Sequence, residues 1–136
     1  MVGEAVLPGE LLEAAFRTSN DDYAWRRRDL SNAVGTLSDR HFAVLGGEVW
    51  IVEGNLFCPL SPARTGGLTL LAWQSPERED QETWDHFSRR TAEETLRSVD
   101  ALNPEECVPA EVADKLYYHI SFSDESTYLP LKPALA

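Results

Sequence analysis

The sequence has few cysteines and no long apolar run. Its two cysteines, Cys58 and Cys107, form no CxxC pair and have no spacing typical of a zinc site. Two cysteines do not make a disulfide framework. Whether they pair is left open, and a reduced, cytoplasmic chain is the favoured interpretation. The longest apolar stretches, such as residues 70–73, are far too short to span a bilayer. The N-terminal segment lacks the basic start and apolar run of a signal peptide.

Basic residues are also scarce, with 12 Lys and Arg against 23 Asp and Glu, which gives a net charge of −11. A nucleic-acid binder needs cations to displace the counterions of phosphate, so general nucleic-acid binding is disfavoured, as is docking on anionic lipid. The excess lies late in the chain, because residues 75–136 hold 6 basic and 14 acidic side chains. This part is either a solvated face that aids solubility or a docking surface for a basic partner.

The remaining composition is that of an ordinary globular protein, with 43% apolar and 26% charged residues. The length fits a single domain over residues 1–136 that buries a core without a metal or a disulfide. Apolar residues at helical spacing predict helices at residues 8–17, 25–37 and 76–102, the last with Ser75 as its N-cap. Residues 91–94 (Thr-Ala-Glu-Glu) match a capping box, so we expect a break near Arg90, and Asn103-Pro104 ends the pattern.

β-branched, aromatic and alternating runs predict strands at residues 41–45, 48–53, 68–73 and 115–122, with residues 56–58 as a possible fragment. Gly46-Gly47 is a hairpin turn, a bulge or a kink within one longer strand. The expected fold class is α+β: a single domain with one mainly antiparallel sheet of about four strands and helices packed on one face. Residues 124–136 are expected to form a loosely ordered tail.

No pattern of catalytic or metal-ligating residues stands out. His41, His86 and His119 form no HExxH, no HxH and no i, i+4 pair, and no serine lies in a GxSxG motif. We therefore predict no catalytic residue, no metal ligand and no cofactor. The alternative hypothesis is a small enzyme whose site combines His41, His119 and a carboxylate such as Glu48, because these residues lie on predicted strands that could be neighbours in one sheet.

Arg26, Arg27 and Arg28 form a basic cluster at the start of the second predicted helix. Such a cluster can bind the phosphate or carboxylate groups of a ligand. In a chain with this excess of acid, salt bridges to its own Asp and Glu residues are the favoured interpretation.

Several segments stand out when they are taken together. They are Ala24-Trp25 with Asp29 and Ala33, the run from Ala43 to Trp50, a helical pattern with Trp84, Phe87 and Arg90-Thr91, and the Leu-Tyr-Tyr block at residues 116–118. Over residues 23–122 they resemble the small α+β immunity proteins of bacterial polymorphic toxin systems. The resemblance implies a protein that binds and neutralises a cognate toxin and so protects the producing cell. It implies no catalytic residues, and it transfers no binding site, because toxin-facing residues vary with the toxin.

The leading hypothesis is therefore an inhibitor that occludes the active site of a basic toxin and mimics phosphate charge. Trp50 lies beside acids in its strand and resembles an interface anchor, although it could equally face the covering helices. The predicted partner-binding residues, chosen for charge and expected exposure, are Glu48, Trp50, Glu53, Glu79, Asp80, Glu82, Asp124 and Glu125. A third hypothesis is an adaptor or secretion chaperone, whose partner stays active when bound. The oligomeric state and the sheet face covered by helices are left open.

Overall fold

The computed structural model describes residues 7–59, 72–106 and 108–128. Within these residues, six β-strands form one antiparallel sheet, and the helices lie on one of its faces. None of the described helices is long and apolar enough to cross a membrane. The elements in chain order are α1 (Gly9–Ala14), β1 (Phe16–Arg17), β2 (Tyr23–Trp25), α2 (Arg27–Asp39), β3 (Ala43–Glu53), β4 (Leu56–Pro59), β5 (Ala72–Gln74), α3 (Trp84–Leu102), a 3-10 turn (Pro104–Glu106), α4 (Ala110–Ala113) and β6 (Leu116–Ser123).

The sheet is organised around β3, its longest strand. The strand order is β1-β2-β6-β3-β4, and β5 also pairs with β3. β3 pairs with β6 from Ala43 opposite Ser123 to Ile51 opposite Leu116, while β4 and β5 share its other edge. The predicted α+β class with a mainly antiparallel sheet is confirmed. The expected number of about four strands is too low, because β1 and β2 are too short to show an alternating pattern.

The Gly46-Gly47 pair lies inside β3, directly after an interruption of its register. The pairing with β6 shifts between Val44 and Gly46, so Leu45 is the extra residue of a bulge, and the glycines lie within one long strand rather than in a hairpin turn. A Cβ atom on Gly46 would lie 2.6 Å from the backbone oxygen of Trp73 in β5, and one on Gly47 would lie 2.2 Å from that of His119 in β6. Glycine is therefore required where strands flank β3 closely at both edges.

Helices α2 and α3 pack on one face of the sheet and enclose the main core. The predicted apolar stripe of α2 is fully buried, and it consists of Leu30, Ala33, Val34 and Leu37. It belongs to one cluster with the inward side chains of β3 and β6, which are Val44, Val49, Ile51, Tyr118 and Ile120. Each large apolar side chain removed from water contributes roughly 1.5–3 kcal/mol, so this layer supplies most of the driving force for folding.

Helix α3 starts later than its pattern indicates. It begins at Trp84 rather than at Pro76, because Thr83 is the N-cap, and the Thr83 hydroxyl accepts a 3.1 Å hydrogen bond from the backbone N–H of His86. The hydroxyl of Ser75, the predicted N-cap, is buried and has no hydrogen-bond partner among the described residues. The later of two possible capping residues therefore starts the helix.

The expected break near Arg90 is wrong, since α3 runs unbroken to Leu102. Thr91, predicted as the N-cap of a second helix, is fully buried in the helix interior. Its hydroxyl donates to the backbone oxygen of Ser88 and accepts from the backbone N–H of Val44 in β3, both at 3.0 Å. The Thr91 hydroxyl is therefore engaged by the sheet and is not available to cap the start of a second helix.

The first predicted helix is shorter than its pattern indicates. α1 ends at Ala14, and Phe16, which fits the helical stripe, lies in β1. Trp25, predicted as the start of α2, pairs with Tyr118 of β6, and its indole N–H donates to the backbone oxygen of Leu11 at 2.9 Å. Pairing with a strand far away in sequence overrides the local helical pattern here.

Some predictions fall outside the described residues. The strand predicted at residues 68–73 is described from Ala72 onward, where it is β5. The predicted tail is described as far as Tyr128, and residues 124–128 contain a turn in which the Asp124 carboxylate accepts hydrogen bonds from Thr127. Cys58 is a free cysteine, whereas Cys107 lies outside the described residues.

We expect Thr91→Val to destabilise the protein by about 1–3 kcal/mol, because it removes the hydrogen-bond acceptor of the buried Val44 N–H and keeps the side-chain shape. Thr95→Val is the matched control, since the Thr95 hydroxyl is buried on the same helix and has no hydrogen-bond partner within the described residues. That variant should be as stable as the parent protein or slightly more stable. Urea unfolding measures both changes, and equal losses would contradict the role of Thr91.

Candidate partner-binding surface

The sheet face opposite the helices is the candidate site, and we call it the outer face. Side chains alternate along a strand, so the neighbours of the inward-facing Val49 and Ile51 point away from the helices. Trp50, at the centre of this face, does not belong to the main core cluster that the helices enclose. It is formed by Glu48 and Trp50 of β3, Tyr117, His119 and Ser121 of β6, Phe16 of β1 and Phe57 of β4.

An aromatic cluster covers Trp50 at the centre of the outer face. Its indole ring stacks on the ring of His119, with centroids 4.5 Å apart and planes 9° apart, and packs on Phe57 at 4.3 Å. Phe16 meets the indole edge-on at 6.3 Å. Trp50 is 3% exposed, so the exposure expected for it is wrong, although it does face away from the helices. Phe57 is 42% exposed, so this member of the cluster is accessible at the surface.

Two of the predicted carboxylates lie on β3, and their surroundings differ. Glu48 is half-buried on the outer face, and its Oε1 accepts a 2.7 Å hydrogen bond from Nε1 of Trp50. Glu53 is exposed at the end of the strand, 3.3 Å from Nζ of Lys115. Among the described residues, no Lys or Arg pairs with Glu48. The structure thus holds the Glu48 carboxylate in place without neutralising its charge.

Five of the predicted contacts lie on two segments that pack together, residues 77–82 and 124–128, which we call the acidic loops. Arg78 joins them, because its Nη1 lies 2.9 Å from Oε2 of Glu125 and its backbone N–H donates to the hydroxyl of Tyr128 at 3.2 Å. The Tyr128 ring packs against Trp84 and Phe87 at the start of α3. These contacts group the predicted residues Glu79, Asp80, Glu82, Asp124 and Glu125 at the start of α3.

Glu82 is a structural residue rather than an exposed contact. Its side chain is 4% exposed, and its two oxygens accept 2.8 Å hydrogen bonds from Nε and Nη2 of Arg90. The backbone N–H of Glu79 also donates to it, and Nδ1 of His86 lies 2.5 Å away. The hydrogen bonds from Arg90, above all, lower the pKa of Glu82 to about 2. The expectation that Glu82 is exposed is therefore wrong.

The other acidic-loop residues fall into two groups. Glu79, Asp80 and Glu125 are exposed, as predicted. Asp124 instead shapes its own turn, because its carboxylate accepts hydrogen bonds from the hydroxyl and the backbone N–H of Thr127 at 2.5 and 3.0 Å. These bonds, the one from the hydroxyl first, lower the pKa of Asp124. Glu79, Asp80 and Glu125 are thus all open to solvent, and Glu125 is in addition paired with Arg78.

The arginine cluster around the start of α2 is engaged by the chain itself. Arg27 pairs with Asp100 and lies 3.5 Å from Glu105. Arg26 donates to the backbone oxygen of Asp114 at 2.7 Å. The favoured interpretation, internal salt bridges rather than a ligand site, is confirmed for Arg27.

The histidine site of the alternative enzyme hypothesis is not assembled. His41 precedes β3, and its Nδ1 lies 3.9 Å from Oδ1 of Asp85. His119 lies opposite Glu48 in the sheet, and its Nδ1 is 2.9 Å from the backbone oxygen of Tyr23. The chain between His41 and Glu48 spans roughly 20 Å when extended, whereas acid–base partners must be within hydrogen-bond reach. In the described part of the chain, no group of three His, Cys, Asp or Glu residues could hold a metal ion.

Sequence reasoning missed most of the aromatic cluster. Phe16 fits a helical stripe, and Phe57 lies in a fragment too short to show a face. The alternation of residues 115–122 does put Tyr117 and His119 on one side of a strand. Nothing local shows that this strand pairs beside Trp50, so the cluster is visible only once β3 and β6 are in register.

A single sheet with helices on one face, and with aromatic rings and carboxylates on the other, defines a small α+β domain with a surface suited to a protein partner. The family model of Immunity protein 40 matches residues 12–122. This match covers most of the 136 residues, so the chain belongs to the Immunity protein 40 family. The resemblance seen in the sequence is confirmed. No curated protein matches the chain, and no solved structure matches it.

The ion pair of Glu82 should make stability depend on pH. The pKa of Glu82 falls from 4.5 to about 2 on folding, so its contribution is fully present above about pH 4.5 and is lost as the pH falls toward about 2. We expect Glu82→Gln to cost about 1–3 kcal/mol of unfolding free energy at neutral pH, because it removes a charged partner of Arg90 that solvent screens in part. The difference from the parent protein should shrink through this acidic range, as measured by urea unfolding at several pH values.

Glu79→Gln is the control for this prediction. Glu79 is 74% exposed and lies 4.0 Å from the same Arg90 guanidinium. Because solvent screens exposed pairs, this variant should change stability by less than about 0.5 kcal/mol. A loss in Glu82→Gln that stays constant down to about pH 2 would contradict the assigned linkage.

Proposed function

We propose that this protein is a stoichiometric inhibitor that binds a cognate toxin and occludes its active site without catalysing a reaction. Membership of the Immunity protein 40 family carries the proposal. Such a protein protects the cell that produces the toxin. Action in the cytoplasm is consistent with the free Cys58, because free thiols are typical of reducing compartments.

The charge of the chain supports a basic toxin as the partner. The net charge is −11, and several cations are already paired with the chain's own carboxylates, among them Arg78, Arg89 and Arg90. The excess is therefore presented as exposed carboxylate, as in the acidic loops. A negative field attracts a basic protein and raises its association rate. A toxin that acts on nucleic acid would have a cationic cleft, which carboxylates can fill in place of phosphates.

The outer face supports inhibition by occlusion. A sheet face holds its side chains in place before binding, which lowers the entropy cost of association. The aromatic side chains that reach the surface of this face, Phe57 and Tyr117, are of types that are enriched in protein interfaces, and Trp50 supports them from below. A surface of this kind can cover a cleft and exclude its substrate.

Co-expression with the toxin encoded by the neighbouring gene tests the proposed function. Cells that express both proteins should grow, and cells that express the toxin alone should stop growing. Gly47→Val is the control, because a side chain at this position would collide with the backbone oxygen of His119, and the misfolded chain should not protect. Equal killing with and without the protein would refute the proposal. A purified complex in which the toxin stays active would identify an adaptor or secretion chaperone instead.

The association rate should depend on salt and on the acidic loops. We expect the triple change of Glu79→Gln, Asp80→Asn and Glu125→Gln to lower the association rate with the toxin about tenfold at low salt, because it removes steering charge. The control removes three exposed carboxylates elsewhere, by Glu93→Gln, Glu106→Gln and Glu111→Gln, and should have a smaller effect. Stopped-flow kinetics over a range of salt measures both, and equal rates for the two variants would contradict local steering.

A further inference from the structure

A depression of about 430 Å³ opens on the outer face where β5 and β6 flank the bulge of β3. Gly46 and Gly47 are among the residues that line it, and the Trp73 indole lies close against Gly47. Its lining also includes four polar side chains, those of Glu48, Gln74, His119 and Ser121. At about 430 Å³, the depression is large enough for a long side chain.

Glu48 is the charged residue among the described residues that line this depression. Nε1 of Trp50 donates to one of its oxygens at 2.7 Å, and the indole ring is itself packed between His119 and Phe57. The carboxylate therefore has a fixed position, with lone pairs left for a second donor. Since no cation of the described chain pairs with it, its charge is available to a partner.

The acidic loops lie close to the same depression. Gln74 and Ser121 line it, and Glu77 and Asp124 each follow three residues later, within about 10 Å along the chain. Glu125, which comes directly after Asp124, is exposed and pairs with Arg78. Carboxylates around a concavity reinforce its negative potential, so a cationic group is favoured there.

We infer that an arginine side chain of the toxin inserts into this depression and pairs with Glu48. The inference rests on the proposed function and names the surface and the chemistry of its partner. A guanidinium is planar, binds a carboxylate through two N–H groups and packs on aromatic rings, which matches a carboxylate set beside Trp50 and His119. A second copy of the chain is not the occupant, because two molecules with a charge of −11 repel each other.

Surface plasmon resonance with the toxin domain encoded by the neighbouring gene tests the inference. Glu48→Gln removes the charge but keeps an oxygen for the Trp50 N–H, and Ser121→Arg places the chain's own cation at the depression, where Ser121 is exposed. The controls make the same charge changes elsewhere: Glu111→Gln in α4 and Ser31→Arg on the exposed surface of α2. We expect the first two variants to weaken binding at least about tenfold, mainly through faster dissociation, and the controls less than about threefold.

The outcomes separate this inference from the proposed function. A parent protein that does not bind the toxin overturns both. A parent protein that binds and protects, with Glu48→Gln and Ser121→Arg binding as tightly as their controls, overturns the inference alone. An arginine-to-alanine scan of the toxin completes the test, because one arginine should matter much less when Glu48 is already Gln. The lack of any such coupled arginine contradicts the assigned side chain. Urea unfolding of all four variants should show that they are folded.

Discussion

The antiparallel pairing of β3 with β6 is the interaction on which the rest of the structure depends. Side chains alternate on both strands, so one register places Val49 and Tyr118 against the helices and Trp50 and His119 on the other side. A slip by one residue would exchange the two sets and put apolar side chains in water. The core and the outer face are therefore two consequences of one alignment. The short strands β1 and β2 gain their place only by extending this sheet from β6.

The bulge in β3 adjusts this alignment at the end where the candidate site lies. Glycine at positions 46 and 47 lets β5 and β6 approach, and the shifted backbone N–H of Val44 finds its acceptor in Thr91 of α3. A polar contact between sheet and helix thus accompanies the irregular backbone. The glycines and the bond to Thr91 thus both lie at an irregularity in a strand that is paired at both edges.

Carboxylates serve two different purposes in this acidic chain. Glu82 is buried against Arg90 and holds the segment before α3, and Asp124 shapes a turn. Glu48 and Asp80 pair with no Lys or Arg among the described residues, so their charge is directed to the surroundings. Net charge alone does not distinguish these roles, because a carboxylate acts on a partner only where the fold leaves it without a cation of its own. Under the proposed function, the second group is the one that would meet the toxin.

The sequence by itself determined the fold class, the stripe of α2, the strands at β3 and β6 and the family, because hydrophobic periodicity and the Gly-Gly-Glu-Val-Trp segment are local properties. It also located the acid excess. Only the tertiary structure decided that Phe16 and Trp25 are in strands, that α3 is unbroken at Thr91, and that Trp50 and Glu82 are covered rather than exposed. Each of these outcomes depends on partners far away in sequence, which compete with local propensity and which no local pattern reveals.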